Sequence, residues 1–452
     1  MRLAWFSPFP PVRTGIAACS ADLVAALETR GHEIDRYPEE AAHDFVWRRR
    51  RPHQAGDRYD LAVYQFGNSS HHDYEWAYAL SFPGLVVLHD THLHHARAAF
   101  LLRERRTADY RAEFRWNHPD ASPDLAELAV AGFDTPLYYD FPMVRALVEA
   151  SRLVAVHGEE TRAELIAHFP TSDLRLPASD SIVSIRLGHG QLVEPARELE
   201  ARREVRSRYG IAEDAVLFGV FGGLTPEKRL PQILAAFRAL LPHAPAARLL
   251  LAGAPASHYD VADDVAAHGL QDRVTLTGYL DTDENVTDHL TACDVALNLR
   301  WPTARETSGP WLRALAAGRA TIITDLAHLG DVPSLDPRTW TVREVGGRGS
   351  GIGKGICVAV DILDEDHSLR LAMRRLASDS ALREQLGRAA REWWQREHSI
   401  EAMADDYERV MRQAAARPDP LVDLPAHMRN RGDAKLRALL EPFGVPDPLR
   451  VS

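Results

Sequence analysis

The sequence predicts an α/β chain built as two Rossmann-like, doubly wound lobes, and three observations carry that expectation. At 452 residues the chain exceeds what one ordinary hydrophobic core accommodates, so two domains of about 200 residues plus a tail are expected. Short apolar runs alternate with helical patterns along most of its length, the pattern of parallel β-α-β units. The alternation occurs twice, in two series separated by a charged run from Glu194 to Arg208.

In the first series Arg2–Phe6 reads as a strand, and Gly15 opens a helix with apolar positions at Ile16, Leu23, Val24 and Leu27. Gly31 stands where a helix C-terminal glycine belongs, ahead of a strand at Glu33–Tyr37. Further strands are expected at Leu61–Tyr64, Leu85–Leu88 and Leu153–Val156. Arg186-Leu-Gly-His-Gly190 and the charged run after it read as a domain junction. The second series has strands at Ala215–Phe221, Arg248–Ala252, Val274–Thr277, Val295–Leu299 and Ala320–Thr324, with helices such as Leu230–Leu241 between them. Ligands of such sheets sit at the C-terminal strand ends, so a cleft between the lobes is the expected site. Leu369 to about Arg412 is strongly helical and carries Trp393, Trp394, Tyr407 and Met411. It reads either as a cap on the second lobe or as a helix crossing back to the first, with the aromatics as anchors. After Pro418 a short helix near Ala434–Leu440 is expected. The expected division is therefore 1–195, 205–390, a crossing helix at 391–415 and a tail at 416–452.

Composition is ordinary for a globular protein, at 45% hydrophobic and 26% charged residues. Lys and Arg number 53 against 64 Asp and Glu, a formal net charge of −11. That argues against a nucleic-acid binder, because phosphate backbones require clustered cations. Cys19, Cys293 and Cys357 are far apart and form no C-x-x-C pair, so neither a disulfide framework nor a cysteine zinc site is expected. The N-terminal stretch lacks the apolar core of a signal peptide, and no run approaches the roughly 18–20 residues that span a bilayer. A cytoplasmic protein is expected. The basic run Trp47–Arg51 leaves peripheral contact with the inner face of the membrane open, although a solvated charge run would look the same.

The stretch from Phe218 to Arg229, FGVFGGLTPEKR, is the most informative. An apolar strand ends in Gly222 and Gly223, and Pro226 and Glu227 begin a helix at its positive end. Glycines let backbone approach a ligand closely, a helix N-terminus favours an anion, and Lys228 adds a cation. Standing alone, an ordinary strand–turn–helix with a solvated lysine would read alike. The stretch resembles the G-R-L-x-P-E-K-G turn of family 4 glycosyltransferases, enzymes of the GT-B fold. The resemblance implies that Lys228 grips the diphosphate of a nucleotide-sugar donor. Gly223 stands where the family has an assisting arginine, and Arg300, at the end of the Val295–Leu299 strand, is the expected substitute.

Asp294 to Gly318, DVALNLRWPTARETSGPWLRALAAG, resembles the family's strand, acidic loop and helix, written E-x7-E, and more closely a subgroup with a G-E-T-S-G-like loop. The resemblance implies that Glu306 is the functional acid and that Thr307, Ser308 and Gly309 bind the donor, with backbone amides at a helix start. Arg313 replaces the second glutamate, which in the family holds the donor ribose. Without the resemblance, a solvated Arg-Glu pair ahead of an Ala-rich core helix would suffice. Gly278 and Tyr279 match the family's edge contact to the nucleobase, although a glycine after a strand is usually only a turn.

In the first lobe Pro10-Pro-Val-Arg-Thr-Gly-Ile-Ala17 resembles the family's P-P-x-x-G-G-I-A loop, with Thr14 in place of the first glycine. Gly15 is expected to let backbone approach the donor's distal phosphate. Val86-Val-Leu-His-Asp90 resembles a strand-end histidine that contacts the donor sugar beside the anomeric carbon, which assigns His89 to catalysis; Asp90 either orients it or caps the following helix. His92, His94 and His95 first suggest a metal, but His-x-x-His directly after a strand fixes no common face and no third ligand set is evident, so no metal is expected. Val154-Ala-Val-His-Gly158 and Leu187-Gly-His-Gly190 read as fold markers and not as catalytic sites. The run Gly346–Gly355 fails the P-loop pattern G-x-x-x-x-G-K-[ST] and reads as a flexible loop.

The resemblance covers roughly residues 1–412, with motifs of both lobes in the family's order. It implies transfer of a hexose from a UDP- or GDP-sugar to an acceptor hydroxyl, with retention and without cofactor or metal. His89, Lys228 and Glu306 are the catalytic residues it indicates. The acceptor is left open as a glycan, a lipid-linked glycan or a small metabolite, shaped by the insert Arg103–Phe141. Two other classes stay open, a GT-B nucleotide-sugar epimerase or phosphorylase and a non-catalytic GT-B scaffold subunit. An epimerase would need a further acid and base, and no carboxylate pair stands out.

Overall fold

The computed structural model describes residues 1–49, 59–133, 136–169, 178–257, 259–343, 355–429 and 442. The glycine-rich stretch 346–354, the helix expected at 434–440, and Arg50 and Arg51 of the basic run lie outside them. The chain forms two compact units: Met1–Ile185 with Ala304–Glu306 and Ala404–Ser452, and Arg186–Thr303 with Thr307–Met403.

The first unit holds six strands: β1 (Arg2–Phe6), β2 (Glu33–Tyr37), β3 (Leu61–Phe66), β4 (Leu85–Leu88), β5 (Leu153–His157) and β6 (Ile182–Ile185). They pair in the order β2-β1-β3-β4-β5-β6, every pair parallel. In β3, β4 and β5 every residue is buried, which is why these strands read as unbroken apolar runs rather than alternations. The order reverses between β1 and β3, the switch point where doubly wound sheets bind ligands at their C-terminal ends. Helices at His94–Arg103, Thr107–Asn117, Asp124–Val130 and Leu137–Asp140 make an insert with its own small core around Leu101, Tyr110, Phe114 and Met143. Inside it Arg97 and Glu113 form a buried pair, with Nε to Oε2 at 2.8 Å.

The second unit holds β7 (Leu217–Phe221), β8 (Arg248–Ala252), β9 (Val274–Gly278), β10 (Val295–Asn298), β11 (Ala320–Thr324), β12 (Ser334–Leu335) and β13 (Cys357–Val360). Its parallel order is β12-β13-β11-β10-β7-β8-β9, with the helix Leu230–Leu240 packing Ile233, Leu234 and Phe237 onto the sheet. The charged run read as a junction is a helix of this unit, Pro195–Arg208. It is charged yet anchored: Arg206 is 0% exposed and donates to Asp294 Oδ2 at 2.7 Å and to the Ala215 and Ala292 carbonyls. Asp294 also accepts from the Leu217 amide at 2.7 Å, so one carboxylate ties the helix to the starts of β7 and β10.

Three strands escape the sequence reading. β6 is only partly buried, β12 has only two residues, and β13 follows the glycine-rich stretch. The long helical stretch is three helices, Glu365–Ser378, Ser380–Glu397 and Ile400–Ala415. Asp379 accepts from the Leu382 amide at 3.0 Å, a cap worth about 1 kcal/mol that starts the second of them. Within the third, Ala404 onward belongs to the first unit, where Tyr407 is fully buried. Among the described residues no helix is long and apolar enough to cross a membrane.

Candidate active site

In the second unit three glycines with positive φ stand at adjoining strand ends, Gly222 (+88°) after β7, Gly253 (+156°) after β8 and Gly278 (+69°) closing β9. A Cβ on Gly253 would lie 2.1 Å from the Gly222 carbonyl oxygen, so only glycine permits this approach. The turn is pinned further by the Gly222 amide on Ala252 O at 2.9 Å and the Leu224 amide on Ala254 O at 2.8 Å. Lys228 closes a short 3-10 turn, Pro226–Lys228, and its ammonium donates to the carbonyl of Phe221, the last residue of β7. A Cβ on Gly222 would sit 3.0 Å from that ammonium and 3.3 Å from Pro310 Cγ. The structure therefore brings Gly222, Lys228 and the start of the helix Gly309–Ala316 together. Gly223 has open space where a side chain would project. Arg229 takes the left-handed conformation (φ +59°) and holds Glu365 through Nε to Oε1 at 2.9 Å.

Arg300 follows β10, its amide held by Thr324 Oγ1 at 2.9 Å, and the next amide, of Trp301, donates to Glu227 O at 2.8 Å. Residues 300–301 are thus fixed against the Lys228 turn. Tyr279 is 48% exposed at the end of β9. Thr307 is half-buried ahead of Ser308, whose hydroxyl caps the helix Gly309–Ala316 by accepting from Trp311 N at 3.3 Å. That bond and the missing N–H of Pro310 remove two first-turn donors, so the helix start offers fewer amides than the sequence suggests. Arg313 is 11% exposed at its side chain; it donates Nε to His189 Nε2 at 2.8 Å and pairs Nη2 with Asp283 Oδ1 at 2.7 Å. Burial, and then Arg313, push His189 down to about 3, which keeps it neutral and able to accept. A Cβ on Gly190 would stand 3.0 Å from Arg313 Cα, and one on Gly309 3.1 Å from His189 Cδ2. The Leu187–Gly190 stretch read as a fold marker is therefore packed on the helix Gly309–Ala316.

In the first unit Gly15 begins the helix Gly15–Thr29 with open space at its Cβ position, and Thr14 caps it by accepting from Ala17 N at 3.1 Å. His89 directly follows β4, its amide on Phe66 O at 2.8 Å. Both its ring nitrogens are engaged: Nε2 with Gln65 Oε1 at 2.8 Å and Nδ1 with His157 Nε2 at 3.2 Å. Asp90 accepts from the Asn68 amide at 2.6 Å, a loop-to-loop tie that neither of its two sequence readings anticipates. Glu306 accepts from the Ala304 amide at 2.9 Å, and its neighbour Arg305, at φ +66°, pairs with Glu164 at 2.6 Å. His94 is fully used by the Leu137 carbonyl and the Tyr110 hydroxyl, and burial pushes it to about 4 and His92 to about 3. Among the described residues no group of three or more His, Cys, Asp or Glu is placed to hold a metal ion.

Sequence reasoning missed Gln65, His157, His189 and Asp283, and named Tyr407 only as an anchor of a helix crossing back to the first lobe. Only the two histidines carried a signal, the short H-G motifs, and those look like ordinary strand-to-loop turns.

No curated protein sequence matches the chain. Residues 215–337 match the family model described as Glycosyl transferases group 1. Among solved structures, sucrose-phosphate synthase from Thermosynechococcus elongatus aligns with TM-score 0.61 at 18% identity over 91% of this chain and 98% of that one. The catalytic domain of starch synthase IV from Arabidopsis thaliana, bound to ADP and acarbose, aligns with TM-score 0.60 at 13% identity over 92% and 99%. The Anabaena protein HepE in complex with UDP and glucose aligns with TM-score 0.57 at 13% identity over 91% and 99%. With two parallel-sheet α/β units, the chain has the GT-B fold, and the match of residues 215–337 to the group 1 model supports a glycosyltransferase.

Proposed function

We propose that the protein transfers a hexose from a nucleoside-diphosphate sugar to an acceptor hydroxyl, with retention and without a metal ion. The observation that carries this reading is the Lys228 ammonium seated on Phe221 O beside Gly222, in the matched domain. A lysine resting on a neutral carbonyl exchanges that bond for one to a diphosphate oxygen, and a hydrogen bond to a charged group contributes about 1.5–3 kcal/mol. As the bond from anomeric carbon to phosphate oxygen breaks, negative charge grows on the leaving diphosphate, where Lys228 and the Gly223 amide stabilise it. The acceptor hydroxyl enters on the same face and its proton passes to the leaving phosphate, so no protein base is required and positioning carries much of the rate.

Arg300 takes the place of the arginine absent at Gly223. Glu306, with Thr307, Ser308 and Gly309, holds the sugar and phosphate, and Gly278 and Tyr279 meet the base. Gly15 and His89 serve the sugar and distal phosphate from the first unit. The UDP and glucose in HepE and the ADP in starch synthase IV support a nucleotide-sugar donor, here a UDP- or GDP-sugar. The acceptor is a glycan, a lipid-linked glycan or a small metabolite, reached in the cytoplasm or at the inner membrane face.

The test is incubation with a panel of UDP- and GDP-sugars, with and without EDTA, reading released nucleoside diphosphate and the anomer of the product. EDTA-insensitive release with a retained anomer is expected. Absence of both release and nucleotide-sugar binding would instead indicate a scaffold.

A further inference from the structure

At the strand ends of the first unit four side chains form a hydrogen-bond chain whose direction follows from chemistry. Tyr407 OH and His89 Nε2 both meet Gln65 Oε1, at 3.1 and 2.8 Å. A carbonyl oxygen only accepts, and its two lone pairs take these two bonds, so His89 Nε2 carries a proton. In its neutral form the ring then has its acceptor at Nδ1, and His157 Nε2, 3.2 Å away, is placed to donate to it. The supports are deep: Tyr407 is 0%, Gln65 1% and His157 5% exposed. Tyr407 is held in turn by stacking on Trp5, ring centroids 5.8 Å apart. Gln65 lies in β3, His89 directly follows β4 and His157 closes β5, so three neighbouring parallel strands supply the chain.

We propose that His157 is a positioning residue for His89, a second tether that fixes the orientation of a ring whose Nε2–H is held on Gln65. Both nitrogens flank Cε1, so that edge of the ring is tethered to protein. His89 then serves a sugar as a fixed wall, through its remaining ring edge and its main chain, and not as a mobile proton carrier. Two tethers are what this requires, because one bond leaves the ring free to swing about it, and a displacement near 1 Å at a reacting centre can cost about 100-fold in rate. The placement of a donor sugar here rests on the proposed function; the tautomer does not.

The test uses the full chain with 15N-labelled histidine. In the wild type, NMR is expected to show His89 neutral, protonated at Nε2 and bare at Nδ1. His157→Phe removes the donor; the His89 Nδ1 resonance is expected to lose the shift of an accepted hydrogen bond while Nε2 stays protonated, and kcat to fall about 10- to 100-fold with the donor KM within about twofold. His157→Gln keeps an N–H of similar reach and is expected to restore most of both signatures. A wild-type His89 protonated at Nδ1 would overturn the inference, as would a His157→Phe protein with unchanged His89 spectrum and kcat. Should His157→Phe fail to fold, the wild-type and His157→Gln spectra decide. Because the spectra need no turnover, a protein without transferase activity would sink the proposed function and still be informative on the tether.

Discussion

Replacing Gly222 by alanine is expected to harm both the fold and the phosphate site, by two routes that separate experimentally. Gly222 sits at φ +88°, a left-handed conformation that costs an L-residue roughly 1–2 kcal/mol. The new Cβ would stand 3.0 Å from Lys228 Nζ and 3.3 Å from Pro310 Cγ. The lysine tip is flexible and yields, so the steric share of the stability loss is small. Yielding, however, takes the ammonium off the Phe221 carbonyl and out of the place where a diphosphate would find it. A misplaced charged hydrogen bond forfeits about 1.5–3 kcal/mol. At about 1.4 kcal/mol per tenfold, kcat/KM should fall about 10- to 150-fold. Urea unfolding reads the first effect, and steady-state kinetics with a nucleotide-sugar at a temperature where the variant is fully folded reads the second. A variant destabilised by 1–2 kcal/mol but with kcat/KM intact would refute the role given to the ammonium's position.

Three further outcomes are expected. Asp294→Asn leaves Arg206 buried without its counter-charge and should cost about 3–5 kcal/mol by urea unfolding, whereas a loss under about 1 kcal/mol would contradict the anchoring role. Burial holds His72, His92, His118 and His189 near 3, far below the 6.5 of an unfolded histidine. The unfolded chain therefore takes up protons first, so this stability is full above pH 6.5 and is lost as pH falls toward 3. Urea midpoints should decline steadily from pH 7 to pH 5, and a flat profile would show that these rings are not held neutral. Gly223→Arg has open space for its Cβ and should change stability by no more than about 0.5 kcal/mol while tightening nucleoside-diphosphate binding; weaker binding by calorimetry would remove Gly223 from the phosphate site.

Much of the architecture is legible because parallel strands buried on both faces leave unbroken apolar words such as Leu85–Leu88 and Leu249–Ala252. Where burial is partial the word disappears, as at β6, whose Val183 and Ser184 are only partly buried. The breaks between the three helices of the long stretch are equally hidden, since they fall at Asp379 and at His398–Ser399 with no glycine or proline to mark them. The phosphate turn is local, and Gly222, Pro226 and Lys228 announce it within a few residues. The surroundings of His89 are not local. Gln65 and His157 reach it, and Tyr407 reaches Gln65, only because β3, β4 and β5 pair in register and a distant helix returns to the same unit. Arg313 is a related case. Its charge reads as a change in ligand chemistry, yet its partners His189 and Asp283 lie elsewhere in the chain and are found only through the fold.

The central claim is that Lys228 grips a diphosphate, and calorimetry on Lys228→Ala tests it most directly. UDP or GDP should bind the wild type and lose about 10- to 150-fold in affinity in the variant, the loss of one charged hydrogen bond. The corresponding nucleoside, which has no phosphate, should bind both proteins alike. Unchanged diphosphate affinity in Lys228→Ala, or an equal loss for the bare nucleoside, would contradict the account.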